Sequence, residues 1–361
     1  KENVLYNLPK RSFLRDWRRF SMRIKSRAPL RLGLAGGGTD VSPYCDLYGG
    51  YVLNATIDMY AHVTIELINK PVVMLQSIDT NTCEEYPIAS NIDNHSRSLL
   101  VAVYNRIINE YNNGKPISMR ITTRMDAPIG AGLGSSSILV VALVGAFVEL
   151  LHLPLGEYDI AKLAYEIERI DMGISGGKQD QYATTFGGFN FMEFYKDKII
   201  INPLCIKKEI INELESNLLL YWTGQSRYTG NIIKEQSNNV AQPVALEAMH
   251  KLKEQAILMK KALLKGKINE IGYILDYGWQ YKKRIADDIS NAYIEEIYRA
   301  AKETGATGGI LTGAGGGGYL MLFVPEQHRY DVIRTLKWYK GRFERYHFTK
   351  SRVETWSVND D

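Results

Sequence analysis

The sequence has few of the features that cross-link a protein, anchor it or draw it to a polyanion. Its 361 residues include only three cysteines, an odd and widely spaced set without a CxxC pair, which excludes a disulfide framework and favours reduced thiols. The longest apolar run, residues 138–148, is too short to cross a bilayer. The net charge of +4 does not by itself indicate nucleic-acid binding. We therefore expect a cytoplasmic protein that binds neither a membrane nor nucleic acid.

The composition is that of an ordinary globular protein. Hydrophobic residues make up 45% of the chain and charged residues 23%, which excludes a disordered or fibrous protein. The length is sufficient for two domains. We predict an N-terminal extension at 1–21, an N-terminal domain at 22–205 and a C-terminal domain at 206–361. The extension is rich in arginine and lacks an apolar stretch, so it does not fit a signal peptide.

The spacing of apolar residues predicts a mixed α+β fold. Residues 60–67 alternate between apolar and polar, as in a half-buried strand, and 50–57 and 72–77 are predicted to be its neighbours in an antiparallel sheet. Residues 135–151 are apolar on nearly all sides and predict a buried central helix. Long amphipathic helices are predicted further on, at 243–265, 267–285 and 291–304.

Three glycine-rich segments, 29–40, 128–137 and 308–319, carry the functional signal. In the second segment, Gly130, Gly132 and Gly134 permit positive φ and a close approach of the backbone to a ligand. Three serines follow at the predicted start of the buried helix, where free N–H groups and the helix dipole favour phosphate and a hydroxyl can ligate Mg²⁺. The alternative is a tight turn with a serine N-cap. No GxxxxGK[ST] sequence occurs, so this is not a Walker P-loop.

The order of these segments resembles the GHMP kinases (galactokinase, homoserine kinase, mevalonate kinase, phosphomevalonate kinase and relatives). Pro-x-Gly-x-Gly-Leu-Gly-Ser-Ser-Ser at 128–137 is the most specific piece of the resemblance. The resemblance implies a two-domain α+β GHMP kinase fold with the active site in the cleft between the domains. It also implies ATP and Mg²⁺ as cofactors and phosphoryl transfer to a small-molecule hydroxyl.

The resemblance also implies two sets of binding residues. The cofactor-binding residues are expected to be Pro128, Gly130, Gly132, Leu133, Gly134, Ser135, Ser136 and Ser137. The substrate-binding residues are expected to be Arg31, Gly37, Gly38, Thr39, Asp40, Lys178, Asp180, Arg227, Gly315 and Gly316.

Four of these positions, together with Glu168, are given chemical roles by the same resemblance. Asp180 is expected to be the catalytic carboxylate, although an acid near a helix start can also simply complement the helix dipole. Arg31 is expected to contact the transferred phosphoryl group or the substrate. Glu168 is expected to ligate Mg²⁺ together with Ser136 or Ser137, and Glu166 is the alternative carboxylate.

The end of the first segment narrows the predicted substrate. Galactokinases usually carry Gly-Glu-His-Thr-Asp there, whereas this chain has Gly-Gly-Gly-Thr-Asp at 36–40. That form is similar to the branch of the family that phosphorylates heptose phosphates, as are the stretches at 177–183 and 221–227. A sugar phosphate requires a cationic clamp, for which Lys178 and Arg227 are candidates. The consecutive cations at 282–284 are more typical of a solvated helix face.

The expected reaction is transfer of the ATP γ-phosphoryl group to the anomeric hydroxyl of D-glycero-D-manno-heptose 7-phosphate, which gives the 1,7-bisphosphate. A first alternative is a C1 kinase of a neutral sugar such as fucose. A second is a non-catalytic sensor of sugar or nucleotide on the same fold. The expected partner is a small sugar phosphate, and the expected assembly is a monomer or homodimer.

Overall fold

The computed structural model describes residues 22–128, 130–226 and 230–359. The predicted N-terminal extension at 1–21 and the predicted clamp residue Arg227 lie outside the described residues. The elements up to residue 203, together with the last strand of the chain, build one large sheet with helices packed on it, and the other elements build a smaller sheet with long helices.

The larger sheet has eight strands, and its two longest strands form its centre. In the main path the order is β12-β1-β2-β5-β3-β4, and β6 and β7 extend the sheet from the first half of β2. The strands are β1 (Met22–Ala35), β2 (Gly50–Leu67), β3 (Val72–Ser77), β4 (Thr82–Pro87), β5 (Met119–Met125), β6 (Phe189–Phe194), β7 (Ile199–Pro203) and β12 (Glu354–Asn359).

The smaller sheet has four strands in the order β11-β8-β10-β9, all paired antiparallel. The glycine-rich third segment connects two of these strands, so its loop emerges at one end of the sheet. The strands are β8 (Leu218–Trp222), β9 (Gly308–Leu311), β10 (Tyr319–Phe323) and β11 (Arg342–Glu344).

The helix α3 is the central packing element of the N-terminal half. It spans Ser135–Leu151, as predicted, and 12 of its 17 residues are buried. It packs against β1 and β2, and an all-round apolar surface is stable there because both its faces are covered. This packing holds the start of the helix, and the loop before it, in place beside the sheet.

The remaining helices surround the two sheets. The N-terminal half contributes α1 (Tyr44–Tyr48), α2 (Leu99–Tyr111), α4 (Glu157–Tyr165), a π-helical turn (Glu166–Asp171) and α5 (Gln179–Phe186). The C-terminal half contributes α6 (Lys208–Asn217), α7 (Gly230–Asn239), α8 (Pro243–Leu264), α9 (Ile268–Lys282), α10 (Ala292–Glu303) and α11 (Arg329–Leu336).

The helix α8 fixes the two halves relative to each other. Its buried Gln255 accepts a hydrogen bond from Gly36 N at 3.1 Å and donates to Ile274 O at 3.0 Å. The hydroxyl of Tyr44 in α1 lies 2.9 Å from His250 Nδ1 of the same helix. The helix α8 therefore contacts both the first glycine-rich segment, through Gly36, and the C-terminal half, through Ile274.

Three expectations about strands need correction. Residues 50–57 and 60–67 form one continuous strand. The sequence pattern did not show this, because residues 52–57 are buried on both faces and do not alternate as 60–67 do. Strand β3 reaches β2 only through β5, with which it runs parallel. Strand β12 pairs with β1, so the end of the predicted domain 206–361 belongs to the first sheet. That pairing joins residues more than 300 positions apart, which no local pattern indicates.

Across the described ranges, no helix combines the length and the apolar character that crossing a bilayer requires.

Candidate active site

A cavity of about 660 Å³ lies where the three glycine-rich segments meet. Among the described residues, the charged side chains classed as buried are those of Arg31, Asp40, Glu168, Lys178 and Lys282. Four of these five line the cavity, Lys178 being the exception. Burying a charge is costly unless it is paired or used, so this concentration marks the cavity as the functional site.

The second glycine-rich segment forms one wall of the cavity. Gly130, Gly132 and Gly134 have φ values of +75°, +80° and +79°, a region that favours glycine. At Gly134 a side chain is also excluded by space, since a Cβ there would lie 2.9 Å from Cγ of Asp180. The glycines thus bring bare backbone to the opposing carboxylate, and the loop leads directly into the N-terminus of α3.

The serines that begin α3 fit a phosphate group. Ser135, Ser136 and Ser137 all line the cavity. The buried hydroxyl of Ser135 has no hydrogen-bond partner among the described residues. A buried hydroxyl beside the free N–H groups of a helix N-terminus is suited to an anionic oxygen. The Ser137 hydroxyl accepts a hydrogen bond from Arg169 at 2.9 Å.

Ser136 and Glu168 form a hydroxyl–carboxylate pair that fits a magnesium ion held mainly by phosphate oxygens and water. Ser136 Oγ donates to Glu168 Oε1 at 2.6 Å, and Gln181 donates to the other carboxylate oxygen at 2.9 Å. The described residues contain no cluster of three or more His, Cys, Asp or Glu side chains for a metal. This agrees with Mg²⁺, which commonly takes one or two protein ligands beside substrate phosphates. Glu168 lies in the π-helical turn, a distortion frequent at functional sites.

Arg31 and Asp180 form the second centre of the cavity. Nε and Nη2 of Arg31 lie 2.7 Å and 2.6 Å from the same oxygen, Oδ1 of Asp180. Nη1 of Arg31 donates to the carbonyl of Gly132 at 2.7 Å. The arginine is therefore bonded both to the acid and to the glycine loop, and it fixes the distance between them.

Asp40 lies beside this pair and closes the first glycine-rich segment. Its Oδ2 accepts hydrogen bonds from the backbone N–H groups of Lys178, at 2.8 Å, and Gln179, at 3.0 Å, at the start of α5. Burial raises the pKa of the Asp40 carboxyl, and the nearby Asp180 carboxylate acts in the same direction against those N–H groups. Gly177 leaves room for Asp40, because a Cβ there would lie 1.9 Å from Oδ2.

The structure gives several predicted site residues positions outside the cavity. The side chain of Lys178 does not line the cavity: its Nζ lies 3.5 Å from Asp46 Oδ1 and 3.8 Å from Cys45 Sγ, and these contacts hold it. Thr39 donates to the Gly36 carbonyl at 2.8 Å and so stabilises its own loop. The other predicted residues that do not line the cavity are Pro128, Leu133, Gly315 and Gly316.

Several residues of the site were not predicted. Lys282 lines the cavity although its place at the end of a helix, within three consecutive cations, is typical of a solvated face. Arg169 lies 3.2 Å from Glu168 Oε1 through Nη1, and Gln181 also bonds that carboxylate. No sequence signal identified them. The far end of the cavity, which the sequence could not define, is lined by Ser77, Asp79, Arg97, Leu99, Thr123, Arg124 and Met125.

A glycine loop at the start of a buried helix, opposite an arginine–carboxylate pair, is the arrangement of a small-molecule phosphotransferase. Residues 98–188 match the GHMP kinases N terminal domain, and residues 259–340 match the GHMP kinases C terminal domain. Over 337 residues the chain is 46% identical to the D-glycero-alpha-D-manno-heptose 7-phosphate kinase of Campylobacter jejuni, covering 93% of this chain and 99% of that protein. The chain belongs to the GHMP kinase family, as its motifs predicted.

Solved structures agree with this assignment. The crystal structure of a D-glycero-D-manno-heptose 1-phosphate kinase from Bacteroides thetaiotaomicron superposes with a TM-score of 0.80 at 43% identity, covering 93% of this chain and 99% of that one. A putative sugar kinase from Campylobacter jejuni superposes with a TM-score of 0.78 at 45% identity, covering 93% and 98%. The predicted α+β fold and the predicted resemblance to the heptose branch are both confirmed.

Proposed function

We propose that this chain is an ATP- and Mg²⁺-dependent kinase that phosphorylates the anomeric hydroxyl of D-glycero-D-manno-heptose 7-phosphate. The proposed product is the 1,7-bisphosphate. The observation that carries the proposal is that Gly134 of the glycine loop packs beside the Asp180 carboxylate and that both residues line one cavity. A phosphate-binding loop and an acceptor-activating acid thereby face the same space.

The triphosphate is proposed to bind at the start of α3. Gly130, Gly132, Gly134 and Ser135 line the cavity there, and the buried Ser135 hydroxyl has no partner among the described residues. Ser136 and Glu168 are proposed to hold Mg²⁺ in preference to Glu166, which is bonded to Arg106 at 3.0 Å. A magnesium ion held by Ser136 and Glu168 would offset the negative charge of the triphosphate. The base and ribose are proposed to occupy the far end of the cavity, between α2 and the ends of β3 and β5.

The acceptor hydroxyl is proposed to bind Asp180. Oδ1 of this carboxylate is taken by Arg31, which leaves Oδ2 to accept the hydroxyl proton. The guanidinium of Arg31 then lies beside the group being transferred, where charge develops in the transition state. Gly37, Gly38 and Asp40 line the adjoining wall and are proposed to bind the sugar.

The phosphate that the acceptor already carries distinguishes the proposed substrate from a neutral sugar. Support comes from the heptose kinase of Campylobacter jejuni, whose name specifies a 7-phosphate. The Bacteroides kinase is named instead for a 1-phosphate, which would block the anomeric hydroxyl that we propose as acceptor. Arg227 stays the predicted clamp, while Lys178 is bonded elsewhere. A cytoplasmic location, where ATP is available, is part of the proposal, and a monomer or homodimer stays a prediction.

The test is an assay of ADP release on a panel of acceptors. The panel contains heptose 7-phosphate, heptose 1-phosphate, mannose 6-phosphate and fucose, each with Mg²⁺ and ATP. We expect the highest kcat/KM for heptose 7-phosphate. A higher kcat/KM for heptose 1-phosphate would overturn the proposed acceptor hydroxyl, and one for fucose would make the chain a neutral-sugar kinase. ATP binding with no turnover on any sugar would favour the sensor alternative.

A further inference from the structure

Lys282, the last residue of α9, carries a buried ammonium group at the back of the cavity. Its side chain donates to the carbonyls of Leu311 at 2.7 Å and Gly313 at 2.6 Å, in the third glycine-rich segment. The residue is 5% exposed, and it lines both the main cavity and a small adjoining one. Lys282 is therefore shielded from bulk water, and it still lines the cavity.

The ammonium of Lys282 and the guanidinium of Arg31 are held by two glycines that touch. Arg31 bonds the Gly132 carbonyl, and Lys282 bonds the Gly313 carbonyl. A Cβ on Gly313 would lie 2.7 Å from Cα of Gly132, so these two glycines pack directly against each other. The second and third glycine-rich segments therefore present one cation each at the same place in the cavity.

The described residues do not balance the charge of Lys282. Arg31 is paired with Asp180, but within the described ranges no carboxylate forms an ion pair with Lys282. The two carbonyl bonds also do not require the charge, because a neutral amine has two N–H groups and an ammonium has three. Thus the third N–H and the positive charge are available to a ligand.

The charged groups around Lys282 come from two elements. Arg31 of β1 faces it, and Asp180 of α5 lies behind Arg31 in the same cavity. The other neighbouring elements contribute uncharged side chains to the small cavity that Lys282 lines: Gln179 at the start of α5, Leu252 and Gln255 of α8, and Ile310 and Leu311 of β9. An anion placed beside Lys282 therefore also meets Arg31, whose partner is Asp180, while Asp40, Glu168 and Arg169 line other parts of the cavity.

We propose that Lys282 is a further catalytic residue, whose ammonium donates its third N–H to the phosphoryl group passing from ATP to the acceptor. This inference rests on the proposed function. It adds a second cation, beside Arg31, to the groups that stabilise the transition state of phosphoryl transfer. No bond to Lys282 forms or breaks. Its role is to share, with Arg31, the negative charge on the oxygens of the transferred group.

The pKa of Lys282 agrees with this role. Burial, followed by the charge of Arg31, lowers the pKa of the free enzyme's Lys282 to about 7. A phosphate anion bound between Lys282 and Arg31 would offset the repulsion between the two cations, raise the pKa of Lys282 and favour its ammonium form. Binding of a γ-phosphate should therefore be accompanied by proton uptake, which a lysine that only braces the loop would not show.

The experiment is calorimetric titration of the full chain with Mg·AMPPNP and with Mg·ADP near pH 8, in buffers of different ionisation enthalpy. We expect the wild type to take up roughly 0.5–0.9 proton more than Lys282→Met with Mg·AMPPNP, and much less extra with Mg·ADP. Lys283→Met is the matched control, because the neighbouring Lys283 bonds Glu295 at 2.9 Å and does not line the cavity. It should behave as the wild type.

Kinetics supply the second measurement. Lys282→Met should lower kcat by about 10²–10³ and change KM for the sugar much less. If that variant does not fold, Lys282→Arg should remove the extra proton uptake while keeping the charge, since arginine does not titrate there. Equal uptake and equal kcat in the wild type and the Lys282 variants would overturn the inference. Absence of kinase turnover by the wild type would instead overturn the proposed function.

Discussion

Arg31 bonds one oxygen of Asp180 twice, through Nε at 2.7 Å and Nη2 at 2.6 Å, and leaves the other oxygen facing the glycine loop. The pair joins β1 of the large sheet to α5, and the third nitrogen of Arg31 ties both to Gly132. Because the arginine is 3% exposed, the geometry of the acid is set before any ligand binds. Substitutions at this pair and around it should therefore alter turnover more than folding.

Asp180→Asn should lower kcat by about 10²–10⁴ with little change in ADP affinity. The amide oxygen still accepts a hydrogen bond from Arg31, so the geometry is kept while the proton acceptor is lost. Steady-state kinetics and ADP titration measure the two effects. Asp171→Asn is the control, because Asp171 pairs with Arg106 outside the cavity, and it should leave kcat unchanged. Wild-type turnover by Asp180→Asn would remove this residue from the mechanism.

Gly134→Ala should lower kcat/KM for ATP by about 10². The added Cβ would lie 2.9 Å from Cγ of Asp180 and would displace that carboxylate. Gly173→Ala is the matched control. Gly173 has a similar positive φ of +62°, but a Cβ there meets nothing within 4 Å. Both substitutions carry the backbone strain, and only the first disturbs the site. Similar losses of activity in the two variants would show that strain, not the contact with Asp180, is responsible.

Glu168→Gln should raise the Mg²⁺ concentration for half-maximal activity by about tenfold or more, since it removes a charged oxygen ligand. Glu166→Gln, which instead alters a bond to Arg106, should leave that concentration close to the wild-type value. Magnesium titrations at fixed ATP measure both. The reverse pattern would move the metal to Glu166.

Lys282 should make the stability of the protein depend on pH. Its folded pKa of about 7 is below the ordinary value of 10.5, so between these values the unfolded chain binds more protons than the folded chain. Stability therefore rises with pH across that window, and the penalty of the buried amine is full below pH 7. From about pH 7 to about pH 9 the wild type should gain roughly 2 kcal/mol relative to Lys282→Met. Denaturant unfolding at several pH values measures this difference, and a constant difference would contradict it.

Local patterns predicted the parts of the site that a short stretch of chain builds by itself. The helix at 135–151 and the glycine loop before it are found as predicted, because a long apolar run favours a buried helix and glycines permit the positive φ values that the loop adopts. The resemblance carried by these motifs, and the fold that it implied, are confirmed by the matched domains and the heptose kinase relative.

The direction in which the buried lysine side chains point could not be predicted from the sequence. Lys178 and Lys282 are both buried, yet the amine of the first bonds Cys45 and Asp46 and that of the second lines the cavity. Which way each points depends on residues distant in the sequence: Cys45 and Asp46 hold the amine of Lys178, and carbonyls 29 and 31 residues away hold the amine of Lys282. The pairing of β12 with β1 was missed for the same reason.

The central claim is that one phosphoryl group passes from the glycine loop to a hydroxyl held by Asp180. Phosphorus NMR of the products from Mg²⁺, ATP and D-glycero-D-manno-heptose 7-phosphate tests it most directly. We predict a new phosphate signal coupled to the anomeric proton, with the original 7-phosphate signal retained and ADP formed in equal amount. Formation of ADP and inorganic phosphate alone, or a new phosphate at any other position of the sugar, would contradict the account.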